Sequence, residues 1–177
     1  MGKRLIRILG FLVTVTILSG MLAGCWDTKR VTTSDGKLRF DIPKDWKINS
    51  NESNKDANLS ISSNDGVLSF IVIPEEKPKD AGSYKLSDYY KLVGTNLVKS
   101  SPKSKIVNPV DHTINEHEAI QFDYVNEVKN VKLSYFFTLI DTKSRYYRLI
   151  GWTLSSQYNA LKPQLDDIVN SFKVVSE

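Results

Sequence analysis

The chain has a single cysteine, Cys25, among its 177 residues. That excludes a disulfide framework within the chain. It has two histidines, His112 and His117, so histidine-based catalysis has little to draw on. There is no Gly-x-Ser-x-Gly, no His-Glu-x-x-His and no glycine-rich phosphate loop. Acidic residues are missing from the start, because none precedes Asp27. Lys3, Arg4 and Arg7 therefore supply three of the four charges in the net +4. Without that segment 21 basic residues face 20 acidic ones, a net charge of +1. So even a balance excludes a strongly basic nucleic-acid binder. The whole chain is 41% apolar, 10% aromatic and 25% charged, a globular composition, and its length suits one domain.

The N-terminus has three parts. Met1 to Arg7 is short and basic, Ile8 to Met21 is apolar, and Leu22-Ala23-Gly24-Cys25 follows. Basic, apolar and then small residues is the pattern of a secretory signal peptide. The ending resembles the lipobox of bacterial lipoproteins. Ala23 and Gly24 let an extended backbone enter a peptidase, and Cys25 can form a thioether. The resemblance implies a diacylglyceryl group on the Cys25 sulfur, cleavage before Cys25, and an N-acyl chain (palmitate or similar) on the new terminus. Acyl chains in pairs hold a protein durably on a membrane. Ile8 to Trp26 is also just long enough for an uncleaved membrane helix. Both readings put the domain outside the cytoplasm and on a membrane.

Three segments follow from this: a signal peptide over 1–24, a lipid-anchored tether over 25–36, and one domain over 37–177. The tether is short and polar, so the domain is expected close to the lipid headgroups. Strand patterns occupy Leu38 to Ile42, Trp46 to Ile48, Leu59 to Ser62 and Val67 to Ile73. Ser63-Asn64-Asp65-Gly66 between two of them reads as a hairpin turn. Val67 to Ile73 is apolar on both faces and reads as a central strand. Pro74 to Gly82 reads as a loop. A helix follows, with Ser87 as its cap and Leu86, Tyr89 or Tyr90, Val93 and Leu97 as its apolar stripe; Ser100-Ser101-Pro102 ends it. Alternation then marks Ile106 to Asp111, Ile120 to Val125, Val131 to Ile140 and Tyr146 to Leu154 as an antiparallel meander. A closing helix spans Tyr158 to Val169, with Pro163 setting its first turn apart. The fold class is α+β, with helices packed on a central antiparallel sheet.

Leu38-Arg39-Phe40-Asp41-Ile42-Pro43-Lys44-Asp45-Trp46 resembles the opening of PsbP-like domains. Asp167-Ile168-Val169-Asn170-Ser171-Phe172-Lys173-Val174 resembles their close. The resemblance runs from about Lys37 to Val175 and implies an α-β-α sandwich. The family includes extrinsic photosystem II subunits, a Ran-binding nuclear factor and many bacterial lipoproteins. It shares no catalytic residues, so the fold does not carry a function with it. The family usually has a glycine in one turn where this chain reads Ile114-Asn115-Glu116-His117-Glu118-Ala119.

Few side chains stand out as sites. Pro43 and Trp46 read as a strand end and a core anchor. His112 and His117 sit in an acidic stretch with Glu116 and Glu118, a donor set zinc would accept, although a solvated hairpin is the default. Asp166 and Asp167 read as a solvated helix face. Tyr146, Tyr147 and Trp152 could line a groove, although strand propensity and core filling account for most of the aromatics. Arg145 and Arg148 beside Tyr146 and Tyr147 mark a candidate partner-binding patch, with Arg145 and Tyr147 as its test residues. No cofactor is indicated. The reading is a non-enzymatic binding or assembly module of the cell envelope, held on the membrane and contacting an envelope protein. The alternative is a small-molecule or metal carrier. A deep apolar pocket would favour the carrier, and a perturbed buried carboxylate or histidine would favour an enzyme.

Overall fold

The computed structural model describes residues 27–50, 54–78 and 84–176. The expected signal peptide and Cys25 lie outside the described residues, as does part of the expected 74–82 loop. Among the described residues, strands β1 (Thr28–Thr32), β2 (Leu38–Pro43) and β10 (Lys173–Val174) form a small sheet in the order β1-β2-β10. The larger sheet has the order β3-β4-β5-β9-β8-β7-β6. Its strands are β3 (Lys47–Ile48), β4 (Leu59–Ser62), β5 (Ser69–Glu76), β6 (Lys105–Ile114), β7 (His117–Val128), β8 (Val131–Asp141) and β9 (Arg145–Leu154). All pairings are antiparallel. Helix α1 (Leu86–Ser100) covers one face of the large sheet, and α2 (Tyr158–Asn170) covers the other beside the small sheet. This is the expected α+β arrangement.

Alternation along the strands creates two cores. On the α2 face, Phe70, Phe136, Tyr147 and Leu149 meet Phe40, Leu165 and Phe172. On the α1 face, Phe122, Leu139 and Tyr146 meet Leu86, Tyr89 and Val93. Gly151 lets α2 approach, because a Cβ there would lie 2.5 Å from the Leu165 side chain. Gly66 closes the β4–β5 hairpin with φ +71, a backbone conformation other residues adopt only under strain.

Four local expectations are corrected. The segment expected as a tether contains β1, paired with β2 from Thr28↔Pro43 to Thr32↔Arg39. Its one buried side chain is Val31, a single apolar position in a polar stretch. β5 runs on through Pro74 to Glu76, because β4 pairs only as far as Leu59↔Val72 and leaves the outer edge there without a ladder. α1 starts two residues earlier than a Ser87 cap would allow; Lys85 is the cap, and the Asp88 carboxylate accepts its backbone N–H at 3.2 Å. That bond comes first, and Lys91 second, in lowering the Asp88 pKa. α2 is continuous through Pro163. The turn lacking the family's glycine is closed by Asn115 and Glu116, with φ of 46° and 71°. The Asn115 amide donates to the carbonyls of Asn170 (3.3 Å) and Phe172.

Candidate binding surface

Neighbours in a strand point to opposite faces, and this decides where the β9 aromatics go. Tyr146 turns toward α1, stacking on Tyr89 at 4.5 Å between centroids and donating to the Tyr84 carbonyl at 3.1 Å. Tyr147 turns toward α2 and meets the Phe172 ring edge-on at 6.0 Å. Both are about 1–2% exposed. Arg145 is held by Glu76 at 3.2 Å and Asp35 at 3.9 Å. Arg145 with Tyr147 is therefore not a surface patch: the ring lies in the core and the guanidinium is engaged in ion pairs.

Trp152 does line a groove. Ile71, Leu97, Tyr124, Tyr135, Phe137, Ile150 and Trp152 bound a shallow apolar cavity of about 440 Å³ on the α1 face. Register explains the set: Trp152 pairs with Tyr135 and Ser69, and Ile150 pairs with Phe137 and Ile71. α1 covers the β7 side of this face and leaves Trp152, Tyr135 and Ile150 half-buried. Arg148 and Glu75 form an ion pair on the same face. Burial first, and the Glu75 charge second, push the Tyr89 hydroxyl well above the ordinary phenol range. Tyr135 is raised for the same first reason, with Tyr124 second. Such a surface exposes ring faces and methyl groups.

The histidines are not brought to one site. His117 meets the Phe172 ring edge-on at 5.8 Å, in a cleft with Asn115, Glu116, Arg39 and Lys173. His112 is exposed in a separate cleft of about 880 Å³ beside Tyr84, Asp111, Glu118 and the Lys77–Asp141 ion pair. Among the described residues, no group of three or more His, Cys, Asp and Glu is placed to hold a metal ion. Trp46 and Pro43 are buried. Asp166 is paired with Lys162 at 2.7 Å. On the α2 face, the Tyr158 hydroxyl donates to Asp123 at 2.5 Å. Burial and then that bond raise the Tyr158 pKa.

Residues 31–174 match the sequence profile described as PsbP-like protein. The chain belongs to the PsbP-like protein family. The PsbP-like fold recurs in solved structures at low identity. Cyanobacterial PsbP (CyanoP) from Synechocystis sp. PCC 6803 has a TM-score of 0.66 at 14% identity, covering 86% of this chain and 95% of that one. LpqN, described as involved in cell envelope biogenesis of Mycobacterium tuberculosis, has a TM-score of 0.61 at 12% identity, covering 84% and 91%. Protein PA94 from Pseudomonas aeruginosa, described as a putative regulator of unknown function, has 0.54 at 15% identity, covering 81% and 94%. Comparison with curated proteins returns no match. At these identities the likeness extends to the PsbP-like fold and no further.

Proposed function

We propose that this PsbP-like chain is an extracytoplasmic lipoprotein, anchored through Cys25, that acts by binding an envelope protein rather than by catalysis. The observation that carries the reading is the join between lipobox and fold. Two residues separate Cys25 from β1, so a lipid on Cys25 tethers the domain at close range. The binding surface is the aromatic groove around Tyr135 and Trp152. A partner suited to it presents apolar side chains and sits at the same membrane. The groove is shallow, which favours a protein over a carried small molecule.

The test is photo-crosslinking from Tyr135 in intact cells, comparing the native chain with Cys25→Ser and Trp152→Ala. One envelope protein captured by the native chain and lost in both variants supports the proposal. Capture that ignores both substitutions overturns it.

A further inference from the structure

The registers give the molecule two ends. Thr28 pairs with Pro43, so β1 starts beside the Pro43–Trp46 turn. Lys47 pairs with Ser62, which adds the Ser63–Gly66 hairpin to that end. Ser69 pairs with Trp152, Leu133 with Leu154, and Val128 with Val131, which adds the β7–β8 turn and the Leu154–Gln157 connection. Ser101 bonds Asn126 at 2.6 Å, so the C-terminal end of α1 lies there too. The opposite end carries the turns at Asp35, Asn115 and Lys143; Arg145 reaches Asp35 across it.

The two ends differ in chemistry. Along the end where β1 starts, Lys47, Lys99, Lys103, Lys105, Lys129 and Lys132 are exposed. None of these six has an ion-pair partner among the described residues. Asp45, Asp65 and Glu127 are the acids interspersed with them, and Asp27 is paired with Lys44. Exposed Ile48, Val98, Val128, Val131 and Leu154 stand on the same rim. At the far end Arg39, Lys85 and Lys173 share the clefts with Asp111, Glu116 and Glu118, and Lys77 and Arg145 are held in ion pairs, so cations there are interleaved with acids.

We propose that this lysine-rich, apolar-studded rim seats the domain on an anionic bilayer surface. The inference rests on the Cys25 anchor proposed above. Three residue steps from Cys25 to Thr28 span at most about 11 Å, so the rim is the end brought to the headgroups. Lysines beside an anionic leaflet are attracted over about a Debye length, and exposed aliphatic side chains can enter the interface.

The experiment uses the acylated chain in vesicles of phosphatidylglycerol with phosphatidylcholine, and in phosphatidylcholine alone. A fluorophore is placed at Ser156→Cys on the rim or Ser144→Cys at the far end, with a quencher at headgroup depth. The rim label should be quenched several-fold more than the far label, in anionic vesicles, with the difference reduced by salt and by Lys129→Glu with Lys132→Glu. Equal quenching at both positions, or indifference to lipid charge, overturns the seating. If the chain without added cysteine takes up the fluorophore, Cys25 carries no lipid and the anchor reading fails instead. Flotation of that unacylated chain with anionic vesicles then decides the rim separately: salt-sensitive flotation supports it, and none overturns it.

Discussion

Lys44 grips Asp27 twice: its ammonium lies 2.5 Å from the Asp27 carboxylate, and its backbone N–H donates to the Asp27 carbonyl at 2.9 Å. The residue two positions beyond Cys25 is thus already bonded to the domain. The ion pair is exposed and worth little, under about 1 kcal/mol. The ladder behind it matters more, because Val31 is buried. Lys44→Ala should leave stability within about 1 kcal/mol, whereas Val31→Ala should cost about 2 kcal/mol of burial and cavity. Urea unfolding of both variants checks the ordering.

Gly151 is a packing requirement. A Cβ there would come within 2.6 Å of both Leu165 methyl groups, and Leu165 is fully buried. Gly151→Ala should destabilise by about 1–3 kcal/mol through overpacking. Combined with Leu165→Ala, the loss should be smaller than the sum of the two, because the smaller side chain removes the clash. Strict additivity in a double-mutant cycle would show that the contact is not the cause.

Asn115 does two jobs. It accepts φ 46° in the β6–β7 turn, and its amide ties that turn to the chain after α2. Asn115→Gly keeps the turn and loses the bonds, with an expected cost of about 1–2 kcal/mol. Asn115→Ala loses the bonds and strains the backbone, so it should cost more. Thermal melts of the two variants give the order directly.

The tyrosines set an alkaline limit. Tyr89 and Tyr158 have their pKa raised, chiefly by burial, so their neutral forms are favoured by the fold. A raised pKa gives stability that is complete below the unfolded value, about 10, and is lost as pH climbs toward the folded value. Stability should therefore fall above about pH 10, and Tyr158→Phe should flatten part of that fall. Phenolate absorbance that rises for every tyrosine before the fold is lost would contradict this.

Alternation made the meander legible, and the spacing of Leu86, Tyr89 and Val93 made α1 legible. β1 was not, because Thr28–Thr32 carries one buried apolar side chain between polar ones. Its partner is β2, and pairing across a turn is not written in either strand alone. The strand character of Pro74 was hidden for a similar reason, since it depends on where β4 stops. The site was less legible. Core filling, the ordinary role of strand aromatics, holds for Tyr146 and Tyr147, which face opposite cores, while Trp152 lines the groove. The groove itself draws residues from β5, α1, β7, β8 and β9, and only the register brings them together.

Cys25 carries the proposed anchor. The most direct measurement is the intact mass and N-terminal fragment spectrum of the protein extracted from membranes. The expected result is a chain starting at Cys25 and carrying a diacylglyceryl thioether with an N-acyl group. A chain that keeps residues 1–24, or one with an unmodified Cys25 thiol, would contradict it.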